Sequence, residues 1–275
     1  MIVVTGATGN VGRPLVQALA AAGAQVRAVS RTAAAADFPA GVEYRRADLL
    51  RADELTPAFA GARTVFLLTS GEFLGAGGDL GEVVDAVRNA GGRRVVLLSS
   101  QGVGTGNHPP DAEAAVRDSG LEWTILRPGN FASNALQWAE SVRSERMIAA
   151  PFADIALPVI DPADIAAVAA TVLLDDIHSG ETYELTGPEA ISPRQQAAAL
   201  GVTLGEPVRF TELSRGQARE RMLQFMPAPV VEATLDMLGS PPPALRQVSP
   251  HVERLLGRAP HTFAAWSARN SAAFA

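Results

Sequence analysis

The chain begins with an apolar run and a glycine-rich turn, Ile2-Val3-Val4-Thr5-Gly6-Ala7-Thr8-Gly9-Asn10-Val11-Gly12. The β-branched run predicts a buried strand, and the Ala-rich segment Val11–Ala22 predicts a helix directly after it. Gly6 permits a tight turn, Gly9 lets a ligand approach the backbone, and Gly12 lets the helix pack close to the strand. Unpaired N–H groups and the dipole at the start of such a helix attract phosphate. We therefore predict a phosphate-binding loop, against the alternative of an ordinary glycine turn.

The same alternation of strand and helix continues through the first half of the chain. Apolar, β-branched runs predict strands at Ile2–Thr5, Val26–Ser30, Val42–Arg45, Thr64–Leu68, Arg94–Leu98 and Thr124–Arg127. Helical patterns lie between them, near Asp53–Phe59, Asp79–Ala90 and Asp111–Ser119. Strands that are apolar without alternation are typical of a parallel sheet covered on both faces. The predicted fold class is α/β, a doubly wound parallel sheet of the Rossmann type with helices on both faces.

The regular alternation weakens after Arg127, which suggests a boundary there. We expect residues 1–127 to form the dinucleotide-binding core and residues 128–275 to form a smaller substrate-binding lobe interleaved with it. Predicted elements of the lobe are helices at Asn130–Arg143, Pro162–Leu174, Ser192–Leu200 and Ser214–Gly239, the last with a break at its prolines, and a strand at Tyr183–Leu185. Ligands of open α/β sheets bind at the carboxyl edge. The lobe is expected over that edge.

Composition excludes several classes of function. The 275 residues include no cysteine, which rules out disulfides, thiolate metal sites and cysteine nucleophiles. All 23 Lys+Arg residues are arginine, so no Walker A or Schiff-base lysine exists. The four histidines show no metal-ligand spacing, and no G-x-S-x-G occurs. We expect no metal.

Charge and hydropathy limit the partners. The formal net charge of -6 gives little support for binding nucleic acid. No apolar run reaches the roughly 18 residues that would suggest a membrane span, and no signal peptide precedes the first strand. We therefore expect a cytoplasmic protein with no nucleic acid or membrane partner. The sequence leaves the oligomeric state open.

Arg31 stands where many dinucleotide-binding proteins carry an acid. An Asp or Glu at the end of the second strand binds the ribose hydroxyls of NAD, whereas a guanidinium suits a 2′-phosphate. Here Arg31 occupies that place and no acid follows until Asp37. This pattern favours an Arg31 that binds the 2′-phosphate of NADP(H) over the alternative of a solvated surface arginine. Asp48, after the third strand, could accept a hydrogen bond from adenine or could cap the next segment, and both interpretations remain open.

These features together resemble a known family. The segments that carry the resemblance are Thr5–Gly12, Arg31, Asp48-Leu49, Ser99-Ser100 and Trp123–Phe131 (Trp-Thr-Ile-Leu-Arg-Pro-Gly-Asn-Phe). They resemble the atypical short-chain dehydrogenase/reductases, in particular the NmrA-like and NAD(P)H:quinone reductase-like branch. The similarity extends over residues 1–210.

The resemblance implies a set of cofactor contacts. Around the pyrophosphate it places Gly6, Thr8, Gly9, Asn10, Val11 and Gly12. Around the adenosine 2′-phosphate and adenine it places Arg31, Asp48 and Leu49. On the ribose and nicotinamide side it places Leu68, Thr69, Ser70, Ser99, Ser100, Pro128, Gly129, Asn130 and Phe131.

The chain departs from the family in its acid. Ordinary members of the superfamily protonate the substrate oxygen with a Tyr-x-x-x-Lys pair, in which the lysine lowers the pKa of the phenol. This chain has no lysine, and its two tyrosines, Tyr44 and Tyr183, fall in predicted strands. The pair is therefore absent.

Other residues are candidates for the missing role. His108, in the loop after the fifth strand, could donate a proton, or it could be an exposed loop histidine. Ser100 could orient a carbonyl, or it could simply contact nicotinamide. Aromatic and methionine side chains could line an apolar substrate pocket or lid, or could belong to the core: Phe131, Trp138, Met222, Phe225 and Met226.

The sequence supports one principal function and two alternatives. The first is an NADPH-dependent reductase that transfers hydride to a quinone or to a hydroxyaryl, aromatic polyketide-like ketone, since these acceptors need little help from a protein acid. The alternative is a non-catalytic NADP(H)-sensing regulator, which the missing Tyr-Lys pair would suit. An isomerase or epimerase is weaker, because it would need an acid–base pair.

Overall fold

The part of the chain that the structure describes contains nine strands in two sheets. The computed structural model describes residues 1–32, 34–69 and 71–275. The strands are β1 (Ile2–Val4), β2 (Val26–Ser30), β3 (Glu43–Arg46), β4 (Thr64–Leu67), β5 (Arg94–Leu98), β6 (Glu122–Pro128), β7 (Met147–Pro151), β8 (Glu181–Leu185) and β9 (Arg209–Leu213).

Thirteen α-helices lie within the described residues. They are α1 (Gly12–Ala21), α2 (Ala52–Phe59), α3 (Gly71–Gly75), α4 (Leu80–Asn89), α5 (Gln101–Gly104), α6 (Asp111–Arg117), α7 (Ala139–Glu145), α8 (Pro162–Leu174), α9 (Pro193–Leu204), α10 (Arg215–Met222), α11 (Ala228–Gly239), α12 (His251–Leu256) and α13 (Phe263–Arg269). Short 3₁₀ helices cover Ala35–Asp37, Ala132–Trp138, Asp176–His178, Pro243–Arg246 and Ser271–Ala273. Across the described ranges, we find no helix whose length and apolar character would let it span a bilayer.

The large sheet has seven strands in the order β3-β2-β1-β4-β5-β6-β8. The pairs from β3 to β6 are parallel, with Val3 opposite Arg27 on one side of β1 and Val65 on the other. The chain builds outward from β1 to β3 and then returns to add β4 on the opposite side of β1. The strand order therefore reverses between β1 and β4, and the crevice at their carboxyl ends is the expected ligand site of such a sheet.

Helices cover both faces of this sheet. On one face, α2, α4 and α6 pack over alternate strand residues such as Val65, Val95 and Ile125, all fully buried. On the other face, α8 packs against α1 and against β4, β5 and β6. Burial on both faces explains why the strands lack polar alternation. The predicted doubly wound α/β fold is confirmed.

The chain divides into two compact units. The first comprises residues 1–128, 162–184 and 254–257, and it holds the large sheet except for the end of β8. The second comprises residues 129–161, 185–253 and 258–275. The first break lies one residue from the boundary predicted at 127/128, but residues 162–184, which include α8, return to the first unit.

The second unit is built around a two-stranded parallel sheet that the sequence did not predict. β7 pairs with β9 from Met147 opposite Arg209 to Pro151 opposite Leu213. The β7 sequence Met-Ile-Ala-Ala-Pro contains residues that are depleted in strands, so its local pattern gives no strand signal. The helices were more predictable, as the start of α9 shows. The Ser192 side chain accepts from the backbone N–H of Gln195, and the Gln195 side chain accepts from the backbone N–H of Ser192.

Three of the aromatic and methionine candidates of the second unit pack against apolar clusters, and one is exposed. Trp138 packs against a core that includes Phe263 and Trp266. Met222 and Met226 pack against a small apolar cluster that contains Leu213, Ala218, Val231 and Leu235. Phe225 is 69% exposed and is the outlying member.

Candidate functional site

The glycine-rich turn leaves β1 at the point where the strand order reverses. Thr5 is completely buried there, and its hydroxyl accepts a hydrogen bond from the Leu68 backbone N–H at 2.8 Å. The same hydroxyl lies 3.1 Å from the carbonyl oxygens of Phe66 and Leu68. The start of the turn is therefore tied to the end of β4, which fixes both sides of the crevice.

The turn needs glycine at two positions for different reasons. Gly6 has a φ of +61°, a conformation that side chains disfavour. Gly12 has no space for a side chain, since a Cβ there would lie 2.2 Å from the carbonyl oxygen of Gly6. Between them, Gly9 and Asn10 are exposed, Thr8 is half-buried and Val11 is buried. The end of the loop at Gly12 therefore packs against its start at Gly6, and Gly9 and Asn10 face solvent.

The start of α1 is suited to an anion. Its N-cap residue, Val11, has no side chain that could accept a hydrogen bond from the helix, and no acid lies in the first turn. The N–H groups of a first turn have no partner within the helix and carry the positive end of its dipole. Together with the tight Gly6–Gly12 turn, this arrangement fits the pyrophosphate of a dinucleotide.

Arg31 directly follows β2 and is 48% exposed. Its Nη1 atom lies 2.5 Å from Oε2 of Glu72, a residue of α3 that the sequence did not single out. Arg13, in the first turn of α1, donates to the backbone oxygen of Asp37 at 3.4 Å. The guanidinium of Arg31 is thus bound to a carboxylate, and its contact with a 2′-phosphate stays a prediction.

Asp48 and Leu49 have structural contacts of their own. The Asp48 carboxylate accepts a hydrogen bond from the Leu50 N–H at 3.1 Å, and the Asp48 N–H donates to Glu54 at 2.8 Å. Leu49 packs against the core on one face of the sheet. The bond to Leu50 closes a local turn before α2, whose N-cap is Arg51, so Asp48 does not cap that helix. An adenine contact from either residue stays a prediction.

Residues after β4 and β5 were predicted to face the ribose and nicotinamide. Leu68 and Thr69 are half-buried beside the glycine turn, and Ser70 lies outside the described residues. Ser99 donates to Oε1 of Glu113 at 2.6 Å. Ser100 is the N-cap of α5 and accepts from the Gly102 N–H at 3.1 Å, which leaves its own proton available for donation.

The structure brings both catalytic candidates to the same residue. The backbone N–H of His108 donates to the Gly102 oxygen at 3.0 Å, while the Ser100 hydroxyl accepts from the Gly102 N–H. A side chain at Gly102 would place its first atom 2.7 Å from Nδ1 of His108, so the imidazole packs directly on this glycine. His108 is exposed. Ser100 and His108 thus flank the short helix that follows β5.

A buried ionic network that the sequence analysis missed lies beneath this helix. The Glu113 carboxylate, with no exposed surface, accepts from Nε and Nη2 of Arg127 at 2.8 and 2.7 Å. Arg117 also pairs with it at 3.0 Å. Nη1 of Arg127 reaches Glu184 at 3.3 Å. The network therefore joins the carboxyl ends of β5, β6 and β8, since Ser99 bonds the same carboxylate.

The pKa values of the two carboxyl groups in the network are shifted in opposite directions. Burial acts to raise the pKa of Glu113, but hydrogen bonds from Arg127 and Ser99 outweigh it and hold the pKa below its ordinary value. Burial is also the main influence on Glu184, and its pKa is raised despite the bond from Arg127. Glu113 therefore stays ionised, and Glu184 holds its proton to a higher pH than a free glutamate does.

A signal for this network was present in the sequence. Arg127 stands at the end of the apolar run Trp-Thr-Ile-Leu, and a charged residue in such a strand needs a partner when buried. The partners were not identifiable, because Glu113 and Glu184 lie 14 and 57 residues away along the chain.

Of the predicted nicotinamide contacts, the last three belong to the second unit. Pro128 ends β6, and Gly129 donates its N–H to the Leu185 oxygen at 2.9 Å. The Asn130 oxygen accepts from the Ile160 N–H at 2.8 Å, and Phe131 forms a bridge with Ile160. These bonds fix the backbone of the segment, and its cofactor contacts stay predictions.

The sequence model of the NAD(P)H-binding family matches residues 6–176, which is more than half of the chain. The chain belongs to the NAD(P)H-binding family. The match begins at Gly6 and includes the glycine turn, Arg31 and the whole of the ionic network except Glu184. The predicted resemblance to atypical short-chain dehydrogenase/reductases of the NmrA-like and quinone reductase-like branch is confirmed.

Relatives of this NAD(P)H-binding protein match over its full length. It is 38% identical over 288 residues to a (4-alkanoyl-5-oxo-2,5-dihydrofuran-3-yl)methyl phosphate reductase of Streptomyces griseus, covering 100% of this chain and 99% of the relative. It is 31% identical over 291 residues to an NAD(P)H azoreductase of Xenophilus azovorans, with the same coverage. The NADPH complex of the Escherichia coli quinone oxidoreductase QOR2 superposes with a TM-score of 0.83 at 26% identity, covering 99% of each chain.

Proposed function

We propose that this protein is an NADPH-dependent reductase that transfers a hydride to a quinone or to a hydroxyaryl ketone. The observation that carries the proposal is a NAD(P)H-binding crevice without the Tyr-Lys acid pair. The names of the relatives support it, since a quinone, an azo compound and an alkanoyl-dihydrofuranone are all conjugated acceptors. A conjugated acceptor spreads the negative charge that arrives with the hydride, so it depends less on a strong protein acid.

Neither tyrosine can replace the missing pair. The residue four positions after Tyr44 is Asp48, and the residue four positions after Tyr183 is Gly187. Tyr183 bonds Nδ1 of His178 at 2.8 Å, and burial raises the pKa of its phenol. Its phenol is therefore a weaker acid than an ordinary tyrosine.

The chain's own residues supply binding and orientation. Bound NADPH supplies the hydride. The glycine turn and the start of α1 hold the pyrophosphate, and Arg31 holds the 2′-phosphate. We infer that Ser100 donates a hydrogen bond to the acceptor oxygen, because its oxygen is committed to Gly102 and its proton is not. His108 then supplies the proton that completes the reduction.

The substrate class is tested with matched acceptors in steady-state turnover. We expect an ortho-hydroxyaryl ketone to be reduced at least about tenfold faster, as kcat/KM, than its O-methyl ether, because the phenol hydrogen bond activates the carbonyl. A naphthoquinone should likewise be reduced faster than a saturated bicyclic ketone of the same size. Equal rates within both pairs would contradict the claim that activation within the acceptor lessens its dependence on a strong protein acid.

Arg31→Asp tests the cofactor preference. Because charge-assisted hydrogen bonds to phosphate are lost and repulsion replaces them, NADPH binding should weaken by about 100-fold. NADH has no 2′-phosphate, and its affinity should change much less. The measurement is a fluorescence titration of both cofactors. The control is Glu122→Gln, an exposed change at the amino end of β6. Equal weakening of both cofactors would rule out a 2′-phosphate role for Arg31.

A further inference from the structure

Arg31 and Glu72 form an ion pair that joins the two sides of the cofactor crevice. Arg31 follows β2, and Glu72 lies in α3, which follows β4. These strands flank β1 in the sheet, so their ends are two strand spacings, or roughly 10 Å, apart. The Nη1–Oε2 distance of 2.5 Å shows that the two side chains meet across this interval. The glycine turn leaves the sheet from the strand between them.

Glu72 occupies the guanidinium of Arg31, which is the group proposed to recognise the cofactor. A guanidinium binds carboxylate and phosphate oxygens through the same fork of N–H donors. The Glu72 carboxylate is therefore in the position that an oxyanion of a ligand would take on Arg31. We infer that Glu72 is a specificity-determining residue, which competes with the 2′-phosphate of NADP(H) for Arg31. The inference rests on the proposed cofactor preference and deepens it.

Other carboxylates near the ends of these strands are bound elsewhere. Asp37 accepts from the backbone N–H of Ala34 at 2.7 Å, and Asp48 accepts from that of Leu50 at 3.1 Å. Glu72 is the acid that the structure pairs with Arg31. It is 69% exposed, so its carboxylate can leave the guanidinium for solvent without becoming buried.

Competition has different consequences for the two cofactors. NADPH must exchange Glu72 for its 2′-phosphate on Arg31, and the freed carboxylate turns to solvent. NADH carries no such group and leaves the ion pair in place. Removing the charge of Glu72 should therefore tighten NADPH binding and leave NADH binding unchanged. Since exposed ion pairs are weak, we expect a gain of about two- to fivefold.

The test is a double-mutant cycle on the full chain at one low ionic strength, because salt screens exposed pairs. Wild type, Glu72→Gln, Arg31→Ala and the double variant are titrated with NADPH, NADH and adenosine 2′,5′-bisphosphate. Glu122→Gln, which removes one exposed charge at the amino end of β6, is the control. Glu72→Gln should tighten NADPH and the bisphosphate alike, and this gain should vanish in the Arg31→Ala background.

Three results would overturn the inference. They are an unchanged or weaker NADPH affinity in Glu72→Gln, an equal gain for NADH, or a gain that survives in Arg31→Ala. If wild type binds NADPH tightly while any of these occurs, only the role of Glu72 fails and the proposed reductase stands. If wild type does not bind NADPH, both fail.

Discussion

Replacing Gly12 by alanine is expected to abolish tight NADPH binding. A Cβ at this position would lie 2.2 Å from the Gly6 oxygen and 2.9 Å from the Ala7 Cα, and both are backbone atoms that side-chain rotation cannot move. The turn must open or α1 must shift. If two charge-assisted hydrogen bonds to the pyrophosphate are lost, affinity falls on the order of 100-fold.

The matched control is Gly216→Ala in α10. The nearest atom to a Cβ there is Ser214 Oγ at 4.0 Å, so no clash arises, and alanine favours the helix. This variant should bind NADPH as wild type does. Titration of both variants, with circular dichroism to establish that each is folded, makes the comparison. A folded Gly12→Ala protein with wild-type affinity would contradict the assignment of this turn to the pyrophosphate.

Glu113→Gln is expected to destabilise the protein by about 3 kcal/mol, near the lower end of the range for breaking a buried ion pair. The carboxylate is fully buried and is bound by Arg127, Arg117 and Ser99. The Arg127 side chain is 17% exposed, and with glutamine at position 113 the contacts that the structure describes leave Glu184 as its carboxylate partner. The measurement is urea unfolding at neutral pH.

The pH dependence of this variant provides an independent check. Because the pKa of Glu113 is lowered in the folded protein, its ionised form contributes stability above the pKa of the unfolded chain. That contribution is lost as the pH falls through the folded-state pKa. The difference in unfolding free energy between wild type and Glu113→Gln should therefore shrink in acid.

Glu122, an exposed residue at the amino end of β6, supplies the control for stability. Glu122→Gln should change the unfolding free energy by less than about 0.5 kcal/mol at any pH. A Glu113→Gln protein as stable as wild type, or a difference that does not depend on pH, would show that the ionic network does not hold the ends of β5, β6 and β8 together.

The parts of the fold that sequence predicted are those determined by neighbours in the chain. The glycine turn, the apolar strands and the start of α9 are encoded within a few residues. The small sheet of the second unit was missed because β7 contains Ala149, Ala150 and Pro151 and pairs with a strand about sixty residues later. Its formation depends on tertiary packing, which local propensity does not record.

The same distinction applies to the site. Arg31 was identifiable because its place after β2 is fixed by the fold type. Glu72 was not, since only the folded sheet shows that the segments after β2 and β4 meet across β1. Asp48 illustrates a third case, in which the sequence allowed two interpretations. The structure shows that Asp48 accepts from the Leu50 N–H in a local turn and does not cap α2, and the adenine contact stays a prediction.

The reductase activity is tested most directly by following the loss of NADPH absorbance when the purified protein meets a panel of quinones and hydroxyaryl ketones. We expect turnover with at least one acceptor, and faster turnover with NADPH than with NADH. Tight NADPH binding with no turnover of any acceptor would contradict the reductase and would favour a protein that senses the cofactor.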